Sequence, residues 1–202
     1  MSIRAIFWDV GGVLLTNAWD HNERAEALNR FHLDPGEFQK RHEPLVSAFE
    51  TGKINLDEYL DRTIFYQERP FTREQFRQFM FSLTKPFPEV LSFAKSLTDS
   101  SKYRMATINN ESRELNQFRI EKFALRDIFH LFFSSCFVAL RKPDVAIYRL
   151  ALETTQILPD QCCFIDDRAE NLENPAKLGM HTIQMRTLDQ LQTDLRTLQV
   201  MP

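Results

Sequence analysis

The sequence predicts an α/β fold: a three-layer, Rossmann-like parallel sheet with helices on both faces and an inserted helical cap. Three observations carry this. A short apolar run, Ile3 to Trp8, ends on Asp9 and opens into Gly11-Gly12, the pattern of a buried strand running into a loop. Four further apolar runs lie far downstream and alternate with segments of helical period, which builds a parallel sheet covered by helices. The stretch between the first strand and the rest is almost wholly helical in pattern, which reads as an insert.

The downstream strands are expected at Tyr103 to Thr107, His130 to Ser134, Cys162 to Ile165 and His181 to Met185. Helical patterns separate them at Glu111 to Phe123, Val145 to Thr155 and Ala169 to Leu178, and Leu188 to Leu198 closes the chain as an amphipathic helix. In the insert, helices are expected at Asn22 to Phe31, Pro35 to His42, Leu56 to Phe65 and Thr72 to Ser82. Asn55 and Thr72 are good N-caps, and Glu58 stands three positions after Asn55 as in a capping box. Pro86 and Pro88 mark the return to the sheet. The expected division is a core domain of residues 1–16 and 85–202 and a cap domain of residues 17–84.

Composition narrows the function classes. With 202 residues and 43% apolar content, the chain can fill one core and a small insert. A net charge of −3 without a basic stripe points away from nucleic acid and anionic membrane surfaces. No run of about 18 apolar residues is present, and Asp9 interrupts the N-terminal one, so neither a membrane span nor a signal peptide is expected. The 18 phenylalanines, many at helical spacing, read as core. Three irregularly spaced cysteines, Cys136, Cys162 and Cys163, make no disulfide framework and suit a reducing, cytoplasmic setting.

The chemistry-bearing residues fall at or beside expected strand ends, on the sheet edge where ligands of open α/β folds bind. Asp9 ends the first strand and Thr107 the second, Lys142 follows the third, and Asp166 and Asp167 end the fourth. A carboxylate with a glycine turn behind it can attack phosphorus while the turn's N–H groups face the phosphoryl oxygens. It needs a cation beside it, since nucleophile and phosphate are both anions. The Asp166–Asp167 pair offers hard oxygen ligands suited to Mg²⁺. Lys142 supplies a positive point charge and Thr107 a hydroxyl, enough to hold a phosphoryl group. Singly, each has a plainer reading as a turn, strand or cap residue. Their joint order on this alternation favours the chemical one.

The segments FWDVGGVL, ATINN, LRKPDVAIY and CFIDDRAENLENPAKLGM resemble the haloacid dehalogenase-like hydrolases. ETGKINLDEYL in the insert is similar to the branch holding bacterial sugar-phosphate phosphatases and the N-terminal phosphatase domain of epoxide hydrolases. The resemblance implies a Mg²⁺-dependent phosphatase acting on a small phosphorylated metabolite. Asp9 would form a phospho-aspartyl intermediate. Mg²⁺ would be held by Asp9, the Gly11 carbonyl and Asp167, with Asp166 binding directly or through water. Thr107 and Lys142 would bind the phosphoryl group, with Gly12 beside it. Asn109 and Asn110 follow Thr107 and either touch substrate or cap the helix that begins near Glu111, and Asn171, one helical turn after Asp167, orients a metal-bound water or an acid. A monomer or homodimer is expected, with Trp19 lining the cap entrance or packing.

One position departs from that pattern. Most phosphatases of the family carry an acid two residues after the nucleophile; here it is Gly11. Losing a general acid–base costs about 10²–10⁴-fold in rate. Three readings follow: Glu111 or His21 substitutes, the substrate has a good leaving group, or the protein is a catalytically impaired binding protein. Carbon–halogen hydrolysis, which needs no metal, fits the retained Asp166 and Asp167 less well. A phosphoryl-receiver domain would carry its acidic pair first and lack the insert.

Overall fold

The computed structural model describes residues 2–201. Five parallel strands form one sheet: β1 (Ala5–Trp8), β2 (Arg104–Asn109), β3 (Leu131–Ser134), β4 (Cys162–Asp166) and β5 (His181–Gln184), in spatial order β3-β2-β1-β4-β5. The first strand is thus central, and the connections leave it in opposite directions. That reversal opens a crevice at the carboxyl edge.

The helices are α1 (His21–Arg30), α2 (Pro35–His42), α3 (Val46–Glu50), α4 (Leu56–Thr63), α5 (Arg73–Ser82), α6 (Pro88–Asp99), α7 (Arg113–Lys122), α8 (Ser135–Val138), α9 (Val145–Thr155), α10 (Ala169–Lys177) and α11 (Leu188–Thr197). Strand residues alternate between two cores, as a period of two requires. Ile6, Trp8, Met105 and Ile165 face α6, α7 and α11 through Val90, Ala94, Ile120 and Leu191. Ala5, Phe7, Ala106, Ile108 and Phe164 face α9 and α10 through Ile147, Tyr148 and Leu172. Both faces of the sheet are therefore covered, which is why its strands read as near-continuous apolar runs.

The helices from α1 to α5 enclose a third core, rich in rings: Trp19, Phe38, Phe49, Tyr59, Phe76 and the partly buried Phe31, Phe65, Phe71 and Phe79. Many of the phenylalanines counted in the sequence go there. Asn55 caps α4 through Glu58 N at 2.8 Å, but the Glu58 carboxylate turns to Arg62 instead of closing a box. The completed capping box belongs to Thr72 and Gln75.

The main differences from expectation lie in β2, α3 and α6, with the short helix α8 also unexpected. β2 runs to Asn109 rather than ending at Thr107. α6 was read only as a return segment, although Pro88 at its first turn starts a helix well. α3, with the 3₁₀ turn Glu43–Leu45 before it, is too short to show a period. All three cysteines are free and buried. Among the described residues no helix is long and apolar enough to cross a membrane.

Candidate active site

The backbone of β1 and β4 sets the centre of the site. Trp8 pairs with Ile165, and Asp9 N donates to Ile165 O at 2.8 Å. That register carries Asp9 and Asp166, distant in sequence, to neighbouring positions at the sheet edge. Oxygens of Asp9, Asp166 and Asp167 lie within 4.8 Å of one another. Lys142 reaches between them, with Nζ 2.8 Å from Asp9 Oδ1 and 2.6 Å from Asp166 Oδ2. The ammonium is 2% exposed, so this is a desolvated cluster in which charge separation is weakly screened.

Supporting hydrogen bonds fix each group. Val10 N donates to Asp9 Oδ1 at 2.7 Å. Arg168 N and Asn171 Nδ2 donate to Asp166 Oδ1 at 2.8 and 3.0 Å, and Asn171 Nδ2 also lies 3.1 Å from Oδ2. Asn171 thus steadies a carboxylate directly. Asn110 clamps the backbone of Lys142 from both sides: its Oδ1 accepts from Lys142 N at 2.8 Å and its Nδ2 donates to Lys142 O at 2.9 Å. It is a positioning residue for the lysine and does not cap α7.

Electrostatics follow from burial. Burial pushes the Asp9 carboxyl up to about 7 against the pull of Lys142, with Asp166 and Asp167 adding to the rise. Burial alone would lower the Lys142 ammonium, but Asp9 and Asp166 more than reverse this and hold it above its ordinary value. The Asp167 carboxyl is raised by burial and by Asp166. Three acids and one ammonium leave the cluster short of positive charge, and Asp167 Oδ1 is buried without a hydrogen-bond partner. Hard, crowded oxygens with an unsatisfied lone pair are the donor set a divalent cation takes.

Gly12 is required here by geometry. Its φ is +72°, and a Cβ on it would stand 2.3 Å from Asp167 Oδ2. Gly12 therefore lies beneath the acidic pair, outside the cleft lining. The cleft, about 200 Å³, is lined by Asp9, Gly11, Asn110, Lys142 and Asn171 from the sheet edge and by Trp19, Asp20, Arg24 and Glu50 from the helical insert. Two ion pairs join the sides: Arg168 with Asp20, and Arg141 Nη2 with Glu50 Oε2 at 2.7 Å.

Thr107 and Asn109, like Gly12, do not line this cleft. Thr107 is fully buried two residues inside β2, paired with Trp8, and its hydroxyl has no partner. Because β2 extends to Asn109, the position that ends the strand is later than expected, and Thr107 sits below the site. Asn109 turns inward as well, donating to Asn116 Oδ1 at 3.0 Å and accepting from Ser134 Oγ at 2.9 Å. The cleft residues Asp20, Glu50, Arg141 and Arg168 were not anticipated. Their pairing spans up to 148 positions, and no local spacing signals it.

A model of the haloacid dehalogenase-like hydrolases matches residues 3–179. Bifunctional epoxide hydrolase 2 of Sus scrofa is 29% identical over 98% of this chain, and the alignment spans 39% of that protein's length. The chloroplast flavin mononucleotide hydrolase 1 of Arabidopsis thaliana is 26% identical over 78% of this chain and 63% of its own. Among solved structures, a HAD family enzyme of Bacteroides thetaiotaomicron in complex with magnesium and inorganic phosphate superposes with a TM-score of 0.74, at 21% identity over 92% of this chain and 95% of that one. The L-2-haloacid dehalogenase of Xanthobacter autotrophicus gives 0.61 at 15% identity, over 99% and 85%. With its parallel sheet and acidic edge, the chain belongs to the haloacid dehalogenase-like hydrolases.

Proposed function

We propose that this hydrolase is a Mg²⁺-dependent phosphatase of a small phosphorylated metabolite, with Asp9 as the nucleophile. The observation that carries the reading is the cluster of Asp9, Asp166 and Asp167 oxygens within 4.8 Å of one another, with the Lys142 ammonium paired to Asp9 and Asp166. Asp9, the Gly11 carbonyl, Asp166 and Asp167 are the residues that would hold the metal. Bound there, a hard dication offsets the repulsion between a carboxylate nucleophile and an anionic phosphate. The chain's own residues do the rest. Asp9 attacks phosphorus to give a phospho-aspartyl intermediate, and Lys142 counters charge on the phosphoryl oxygens. Asn110 and Asn171 hold the lysine backbone and Asp166 in place. Residues 17–84 act as the cap that excludes water, and a cleft of about 200 Å³ suits a small substrate.

Carbon–halogen hydrolysis is the second reading, and dehalogenases share the fold. The orphaned Asp167 oxygen speaks against it, because a metal-free reaction gives no reason to bury that acid beside two others. A catalytically impaired binding protein is the third, favoured by Gly11. Phosphate release from an aryl phosphate separates them: it should require added Mg²⁺ and vanish in Asp9→Asn. Turnover that survives EDTA, or survives Asp9→Asn, rejects the phosphatase reading.

A further inference from the structure

The missing acid at Gly11 leaves a gap in the chemistry just proposed, and the surroundings of that glycine are specific. A Cβ built on Gly11 would meet Asn17 Oδ1 at 2.8 Å and Arg119 Nη1 at 3.8 Å. Arg119 is 2% exposed; its Nη1 donates to Glu111 Oε2 at 2.9 Å and its Nη2 to Thr16 O at 2.6 Å. A single guanidinium therefore separates the open side of Gly11 from a buried carboxylate. That carboxylate lines the same cleft as Asp9 and Lys142.

Glu111 is held on the loop between β2 and α7. Its Oε1 accepts from Ser112 N at 2.9 Å. Its backbone N–H donates to Ser135 Oγ at 3.0 Å, and that hydroxyl donates to Glu50 O of the insert at 2.6 Å. Neither the nucleophile, the phosphoryl-holding lysine nor the metal ligands use Glu111. His21, the other acid–base candidate, is exposed at the start of α1 and does not line the cleft.

We propose that Glu111 is the proton carrier that replaces the absent acid at Gly11, with Arg119 as its positioning residue. The assignment rests on the phosphatase reading. As Asp9 Oδ bonds to phosphorus and the ester P–O bond breaks, the Glu111 carboxylic acid gives its proton to the leaving oxygen. In the second step the Glu111 carboxylate takes a proton from the water that attacks the phosphorus. The bond to Asp9 then breaks, releasing inorganic phosphate and restoring both carboxyl groups. Burial raises the Glu111 carboxyl to about 7, with Arg119 opposing and Glu50 of the insert assisting, so both protonation states are populated near neutrality.

The experiment is a series of phosphate monoesters of graded leaving-group pKa, assayed with Mg²⁺ on the wild type, Glu111→Gln and Asp9→Asn. Glu111→Gln should lower kcat by about 10²–10⁴-fold on alkyl phosphates and by less than about tenfold on a nitrophenyl phosphate. Equal losses across the series, or none, overturn the assignment. Because Gln leaves Arg119 without a counter-charge, the wild type gives a second readout. Its rates should depend only weakly on leaving-group pKa, and a steep dependence overturns the assignment too. Steep but Asp9-dependent turnover leaves the phosphatase reading standing; no Mg²⁺-dependent turnover on any ester overturns both.

Discussion

Asp9 and Asp166 share one counter-ion, the Lys142 ammonium, at 2.8 and 2.6 Å. Removing one partner from a buried ionic group costs about 3–5 kcal/mol, because it strands charge in a poorly solvated place. Lys142→Met should destabilise the metal-free protein by roughly that amount in a urea titration. Added Mg²⁺ should recover part of the loss. A change below about 1 kcal/mol would mean that the acids take up protons rather than stay charged without the lysine.

Gly11→Asp tests the same cleft from the other side. The backbone at Gly11 has no positive φ, so a side chain is tolerated once Asn17 moves its Oδ1. On the wild type, the new carboxylate should add little, since Glu111 already supplies the proton and Arg119 is within reach of both acids. On the Glu111→Gln background, it should restore at least tenfold of the lost kcat on alkyl phosphates, out of the 10²–10⁴-fold scale of acid–base help. Steady-state kinetics on the single and double variants give the answer.

Gly12→Ala combines a left-handed backbone with an overlap on Asp167 Oδ2. A cost of about 1–3 kcal/mol is expected from the backbone alone. Calorimetric titration with Mg²⁺ should also show weakened binding, because Asp167 has to turn away. Unchanged affinity would argue that Asp167 is not a ligand.

His42 gives a pH signature away from the chemistry. Trp19 Nε1 donates to Tyr59 Oη at 3.0 Å, and Tyr59 Oη lies 2.7 Å from His42 Nδ1. Burial lowers the His42 imidazole to about 4, with Arg24 contributing. Between about 4 and 6.5 the unfolded chain then binds more protons than the folded one, so this group's stabilisation is lost as pH falls through that window. In His42→Gln, the slope of unfolding free energy against pH should shrink there relative to wild type. An identical slope would show that the imidazole is not held neutral.

The sequence exposed the strand-and-helix alternation because each buried strand is an apolar run and each helix keeps a 3.6-residue stripe. It exposed Asp9, Lys142, Asp166 and Asp167 because strand ends are readable and the parallel register then aligns them. The end of β2 was misplaced by two residues, which keeps Thr107 on the same face as Asn109 but sets it about 7 Å back along the strand from the sheet edge. The helix Pro88–Asp99 was missed, although it carries a helical signal: Pro at its first turn and apolar Val90, Ala94 and Leu97 spaced one and two turns apart. The arginines of the cleft were not legible, because a charged residue in a loop looks the same whether it is solvated or holds an acid on a remote segment.

The pairs Asp20–Arg168 and Glu50–Arg141 join the insert to the sheet edge with side chains still partly in water, 28–44% exposed. Such contacts contribute about 1 kcal/mol or less each, too little to weld the two parts shut. They work better as a reversible clasp. An incoming anion can take over a guanidinium as its carboxylate lets go, trading one partner for another without leaving any charge bare. A neutral visitor has nothing to exchange, so an entrance built on these two pairs would favour an anion.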